Sequence, residues 1–106
     1  MKTTGEPPTS DDVRSVRVLL FIAGDGPNST AAVANLRGLL AQRSAAHVEV
    51  EIIDVFMDPQ RGVSAGVFVT PMLVRVKPTP ERRILGNLSD RAILLSVLML
   101  EEREHE

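Results

Sequence analysis

Cysteine is absent from this chain of 106 residues. That one absence removes disulfides, thiol nucleophiles and cysteine-based zinc sites together. Tryptophan and tyrosine are also absent, and the 3 phenylalanines, Phe21, Phe56 and Phe68, leave few flat surfaces on which bases could stack. Charge of one sign is lacking too. Against 12 Lys and Arg stand 14 Asp and Glu, a net charge of −2, so nothing favours nucleic acid or an anionic membrane as a partner. No apolar run approaches the roughly 18 residues that a membrane helix needs. The first residues are polar and include Asp11 and Asp12, with no apolar stretch of the kind a signal peptide carries. A cytoplasmic, soluble protein is the expectation.

Composition describes an ordinary globular domain, at 43% hydrophobic and 25% charged. The length suits one domain that buries roughly two-thirds of its unfolded surface. Residues 1–15, polar and holding Gly5, Pro7 and Pro8, read as a disordered arm ahead of a domain over residues 16–103.

Within that domain, residues 16–23 read as a strand apolar on both faces, hence interior to a sheet with helices over it. Gly24-Asp25-Gly26-Pro27 breaks it, and Asn28 or Ser29 can cap a following helix over about residues 30–43. Ala32, Val33, Leu36, Leu39 and Leu40 give that helix one buried face. Val48, Val50 and Ile52 alternate with Glu49 and Glu51, a second strand that a right-handed crossover makes parallel to the first. Asp58-Pro59 opens a turn or helix, with Pro59 suited to the first helical position. Gly62 and Gly66 are poor material for its continuation. Replacing both by alanine should favour a helix there, provided neither needs a positive φ. Residues 72–76 and 82–85 read as a hairpin around Lys77-Pro78-Thr79-Pro80. Gly86-Asn87 then breaks the second strand, and Ser89 caps a last helix with Asp90 in its first turn. From Ala92 to Leu100 every residue but Ser96 is apolar, so a second face must also be covered, by a subunit or in another conformation. The same run would serve as a buried strand, and periodicity leaves both readings open.

Few side chains here carry chemistry. His47 and His105 lack ligand spacing, so neither a metal nor any other cofactor is expected. No serine sits in a Gly-x-Ser-x-Gly context. Gly24-Asp25-Gly26 has no Gly-Lys-Ser/Thr ending, and Asp25 would repel a phosphate, so a tight turn is the better account. The residues from 101 to 106 read as a frayed, solvated helix end. Arg75, Lys77, Arg82, Arg83 and Arg91 would cluster at one edge of a hairpin sheet. They serve either to protect that edge or to meet an acidic partner.

A β-α-β unit joined to a hairpin and a last helix is similar to the thioredoxin-like plan, with Thr70-Pro71 where that fold places a cis-proline. The start of its first helix, where a thioredoxin carries Cys-x-x-Cys, is here Gly26-Pro27-Asn28-Ser29. Redox activity is not expected. A thioredoxin-like or glutathione-type enzyme working without cysteine is the alternative, and the absent nucleophile argues against it.

An ordered series of segments resembles the KaiB family of circadian-clock proteins. Leu20-Phe21-Ile22-Ala23-Gly24 with Pro27-Asn28-Ser29 opens it, followed by Ile53-Asp54-Val55 and Pro59-Gln60. Thr70-Pro71 with Leu73, then Arg82-Arg83-Ile84, Gly86 and Leu88-Ser89 complete it. The resemblance implies an α/β, thioredoxin-like β-α-β-α-β-β-α fold, and an alternative ground-state fold ordered β-α-β-β-α-α-β. It implies a non-catalytic protein that docks on a KaiC-type ATPase, with a KaiA-like protein or histidine kinases as further partners. It also implies self-association as a dimer or tetramer, and refolding of residues from about 55 to 100. A KaiB-like input module of a sensor kinase is a related reading. On these terms Met57, Asp58, Gln60, Arg61, Arg82 and Arg83 are expected to bind the partner. Gly62, Gly66, Pro71, Gly86, Asn87, Ser89 and Asp90 are expected to govern the fold switch. This chain departs from the family pattern at Asn87, where an acid is expected. It departs again at Met57 and across residues 62–66, where charged helix formers are more usual.

Overall fold

The computed structural model describes residues 15–43 and 45–100. The arm expected over residues 1–15 (Ser15 excepted), residue Ser44, the domain end at 101–103 and the tail with His105 lie outside the described residues. The elements run β1 (Val16–Ile22), α1 (Pro27–Ala41), β2 (Val48–Asp54), α2 (Pro59–Ser64), β3 (Met72–Lys77), β4 (Arg82–Leu85) and α3 (Arg91–Leu98). This is the β-α-β-α-β-β-α order. The strands form a 4-stranded sheet in the order β2-β1-β3-β4. β1 and β2 are parallel, as a βαβ crossover requires, while β3 runs antiparallel to β1 and β4 to β3.

Alternation along the strands divides the interior into two layers. On one face Val16, Val18, Leu20 and Leu73 pack with Ala32, Leu36 and Leu39 of α1 and with Leu94, Leu95, Val97 and Leu98 of α3. On the other, Phe21, Ile53, Val67 and Val74 form a smaller cluster beside α2. β1 contributes buried residues to both layers, which is why it reads as apolar on both faces.

Both helix caps differ from expectation. Gly26, not Asn28 or Ser29, is the N-cap of α1, because Pro27 supplies the fixed φ of a first helical residue and draws the start forward. Ser29 lies inside the helix, buried, where its Oγ accepts from the Ala23 N–H at 3.1 Å. In α3 the cap is Asp90, whose Oδ1 accepts from the Ile93 N–H at 3.1 Å. Ser89 lies one residue too early to reach that amide, and its own N–H donates to Asn87 Oδ1.

Residues 91–98 are helix rather than strand. Leu94, Leu95, Val97 and Leu98 are buried within the domain, while Ile93 and Met99 remain exposed. One domain thus covers more of this run than expected, because its buried positions share a stripe against the sheet. Met99 adopts a left-handed conformation, and the Leu100 N–H returns to Leu95 O, which closes the helix.

The basic residues do not form one patch. Arg75 is buried on the α3 side of the sheet, donating to Val97 O at 3.1 Å and to Pro80 O at 3.0 Å. Its charge meets a helix C-terminal carbonyl, so it fastens the hairpin to α3 instead of facing a partner. Arg82 pairs with Arg75 across the strands and shares its face, whereas Arg83 points to the α2 side.

Candidate functional site

The loops that follow β1, β2 and β4, and the loop that precedes β3, meet at one end of the sheet, because β1, β2 and β4 run one way and β3 the other. At that end Asp54 joins two loops. Its Oδ1 accepts from the Gly24 N–H at 3.0 Å and from the Phe56 N–H at 2.9 Å. Gly24 has φ +66, and a Cβ there would stand 3.1 Å from the Phe56 ring. The ring therefore lies on bare backbone, and only glycine fits beneath it. Thr70-Pro71 is a cis peptide at the same end, and the Gly86 N–H donates to Pro71 O at 2.9 Å.

Exposed apolar residues concentrate around this end. Phe56 is 72% exposed, Met57 81% and Phe68 82%, with Val63, Val69 and Leu85 also exposed. Two of the chain's 3 phenylalanines thus stand in water. Isolated apolar residues on a surface are ordinary, but a group of large ones on adjoining loops marks an interaction site.

α2 lies beside these loops. Asp58 is its N-cap and is exposed, and its N–H donates to Asp54 O at 2.9 Å. Gln60 is exposed and lies 3.5 Å from Ser64 Oγ. Arg61 donates to both carboxylate oxygens of Glu51 at 2.7 and 3.0 Å. The hydrogen bond from Arg61 holds the Glu51 carboxyl below its ordinary range, against partial desolvation, and the same bond raises Arg61. Arg17 adds a second cation to Glu51 at 3.3 Å. Gly62 is buried, with Val55 Cγ1 3.0 Å from where a Cβ would stand. Gly66 follows the helix with φ +70. From the far edge, Arg83 donates to Ala65 O at 2.6 Å and to Gly66 O at 3.4 Å, while its Nε pairs with Glu81 at 2.7 Å. A cleft of about 330 Å³ remains between α2 and the sheet, lined by Leu19, Phe21, Asp58, Gln60, Arg61, Ser64 and Ala65.

The structure thus brings Met57, Asp58, Gln60, Arg61, Gly62 and Gly66 together on or beside α2, with Arg83 reaching them across the sheet. Arg82 is left apart on the opposite face. Pro71 and Gly86 meet at the loop end, and Asn87 links the β4–α3 loop to α1, its carbonyl accepting from Asn35 Nδ2 at 2.8 Å. Ser89 and Asp90 stand at the start of α3. Sequence reasoning missed Phe56, Phe68, Val69 and Leu85. The available signal was two phenylalanines outside any periodic apolar pattern, beside turn residues. Among the described residues there is no group of His, Cys, Asp or Glu that could hold a metal ion, and no helix long and apolar enough to cross a membrane.

Comparison with solved structures places the fold. The N-terminal domain of Synechococcus elongatus SasA superposes with a TM-score of 0.67 at 24% identity, over 95% of this chain and 98% of that one. Fasciola hepatica thioredoxin gives a TM-score of 0.67 at 17% identity, over 82% of each chain. The fold is thioredoxin-like. At the level of sequence, the circadian clock oscillator protein KaiB of Microcystis aeruginosa is 38% identical over 90 residues, spanning 82% of this chain and 86% of the relative. Its counterpart in Trichodesmium erythraeum is 35% identical over 88 residues, spanning 82% and 85%. The KaiB domain model matches residues 19–100, from within β1 to beyond α3 and including α2 and the exposed loops, and on these grounds the chain belongs to the KaiB family.

Proposed function

We propose that this protein is a non-catalytic regulator that docks on a KaiC-type ATPase through α2 and the apolar loops beside it. The observation that carries this reading is the exposure of Phe56, Met57 and Phe68 around the end of the sheet. Burying such side chains against a partner returns the hydrophobic free energy that their exposure forgoes. Clock regulation agrees with the relatives, which are circadian clock oscillator proteins. Catalysis by a thioredoxin-like route has no support, since no cysteine stands at the start of α1 and the Ser29 hydroxyl is already engaged with the Ala23 amide.

Exchange with a second fold, self-association and a KaiA-like or kinase partner belong to the same proposal, as does a cytoplasmic location. The second half favours exchange: α2 has only 6 residues, and Gly66, Gly86, Leu88 and Met99 all have positive φ. The shared fold of the SasA domain is compatible with a second reading, a KaiB-like input module of a sensor kinase acting outside a clock. Binding to a purified KaiC-type ATPase by surface plasmon resonance tests the first reading. The wild-type chain should bind and the Phe56→Ala/Phe68→Ala variant should lose at least tenfold in affinity. No binding, or equal binding by the variant, would overturn it. A thioredoxin-type disulfide reduction assay should give no turnover.

A further inference from the structure

We propose that the loop end of the sheet takes a protein segment whose apolar side chains are flanked by lysine or arginine. The inference rests on the docking reading above and adds the chemistry of what docks. Asp54 binds the Gly24 and Phe56 amides together, so the β1–α1 and β2–α2 loops form one unit. Exposed Asp25 follows Gly24 directly, and exposed Asp58 lies two residues beyond Phe56. These carboxylates therefore flank an aromatic ring and a methionine that stand in solvent.

Among the described residues, neither carboxylate forms an ion pair. The Arg61 guanidinium is turned to Glu51, both of whose oxygens it engages. Asp58 is close enough to raise Arg61 further, but makes no ion pair with it. Arg83 reaches the Ala65 and Gly66 carbonyls on the Phe68 side, and there Glu81 on its Nε balances its charge. Asp54 adds a third carboxylate, whose Oδ1 is taken up by amides. Among the described residues, the unpaired charges in the loops beside Phe56 and Met57 are thus those of Asp25 and Asp58.

This field selects among occupants. An anionic lipid surface or a nucleic acid would be repelled. A second copy joined by two-fold symmetry would set the same carboxylates against each other. A segment with apolar side chains and flanking cations satisfies both features at once. Met57 suits such a surface, being flexible enough to adapt to the apolar face presented.

The test is NMR titration of the full chain, labelled with nitrogen-15, by three synthetic peptides with one apolar core and Lys, Gln or Glu flanks. The Lys peptide should shift the amide signals of Gly24, Asp25, Phe56, Met57, Asp58, Phe68 and Val69. It should bind roughly tenfold tighter than the Gln peptide at low salt, about threefold for each opposing pair of charges some 6 Å apart in water. The preference should shrink in 0.5 M salt on the order expected from a shortened Debye length. It should vanish in the Asp25→Asn/Asp58→Asn variant, whose unfolding midpoint stays near that of the wild type. Equal affinity for the Lys and Gln peptides, a preference for Glu, shifts elsewhere, or no binding at all would overturn the inference. So would self-association through these residues, seen by sedimentation. ATPase binding without a Lys preference would sink this inference alone; a Lys preference without ATPase binding would sink the proposed partner alone.

Discussion

Glu51 and Arg83 stand at opposite edges of one row across the sheet, and one holds α2 while the other holds the turn that ends it. The row runs Glu51–Leu19–Val74–Arg83, charged at both ends and apolar between. From the β2 edge Glu51 accepts from Arg61, and from the β4 edge Arg83 donates to the carbonyls of Ala65 and Gly66. Helices shorter than about 12–15 residues are marginal on their own, so the 6 residues of α2 depend on such fastenings. One is an ion pair and the other joins a cation to neutral carbonyls. They should therefore respond differently to pH.

The first prediction concerns Glu51. Its carboxyl is held below the ordinary 4.5 by the hydrogen bond from Arg61. A group whose folded pKa is depressed stabilises the fold above its unfolded pKa, and that contribution is lost as pH falls through the folded value. The difference in urea midpoint between wild type and Glu51→Gln should be constant above 4.5 and shrink as the pH falls below it. A difference that does not change across that window would remove the ion pair from the account.

Arg83→Ala should cost about 1 kcal/mol, below the roughly 1.5–3 kcal/mol usual for hydrogen bonds to a charged group, because the side chain is partly solvated. Hydrogen exchange should quicken at the Ala65, Gly66 and Val67 amides. Arg83→Lys should not restore them, since an ammonium lacks the guanidinium fork. Arg82→Ala, on the other face, should stay within about 0.5 kcal/mol of wild type. If the two alanine variants behaved alike, Arg83 would be an edge charge and nothing more.

Gly66→Ala should destabilise the described fold by about 1 kcal/mol, because a left-handed φ costs an L-residue that much. This reverses what helix propensity alone predicts for the position. Gly62→Ala has an ordinary helical φ but places a methyl 3.0 Å from Val55 Cγ1, so Val55 must move before any propensity gain appears. Urea denaturation of the two single variants separates these effects. A more stable Gly66→Ala protein would mean that the fold in solution differs around this residue.

The caps of α3 offer a comparison between neighbours. Asp90→Ala should cost about 1 kcal/mol through loss of the bond to the Ile93 amide. Ser89→Ala should cost no more than about 0.5 kcal/mol, as its hydroxyl caps nothing. Equal losses in thermal unfolding would return the cap to Ser89.

The strands and the parallel crossover were legible in the sequence because alternation and helical spacing are local signals that burial imposes on successive residues. β1 shows this best: its apolar residues on both faces announced an interior strand with cover on each side. The hairpin around Lys77-Pro78-Thr79-Pro80 was equally plain, since proline punctuation acts within a few residues. The run from Ala92 to Leu100 was not decidable, because its period fits helix or strand. Only packing of Leu94, Leu95 and Leu98 against the sheet selected the helix. Charge was the least legible feature. Five basic residues close in sequence pointed to one patch, yet strand alternation sends Arg83 to α2, and burial commits Arg75 to the end of α3. The exposed phenylalanines were hidden for the same reason. Whether an apolar side chain outside a periodic segment meets a core or meets water depends on residues distant in the chain, here Gly24 beneath Phe56. Sequence determines which residues can alternate, cap or turn; only the tertiary structure decides which face each one shares, because that choice is made by contacts between segments.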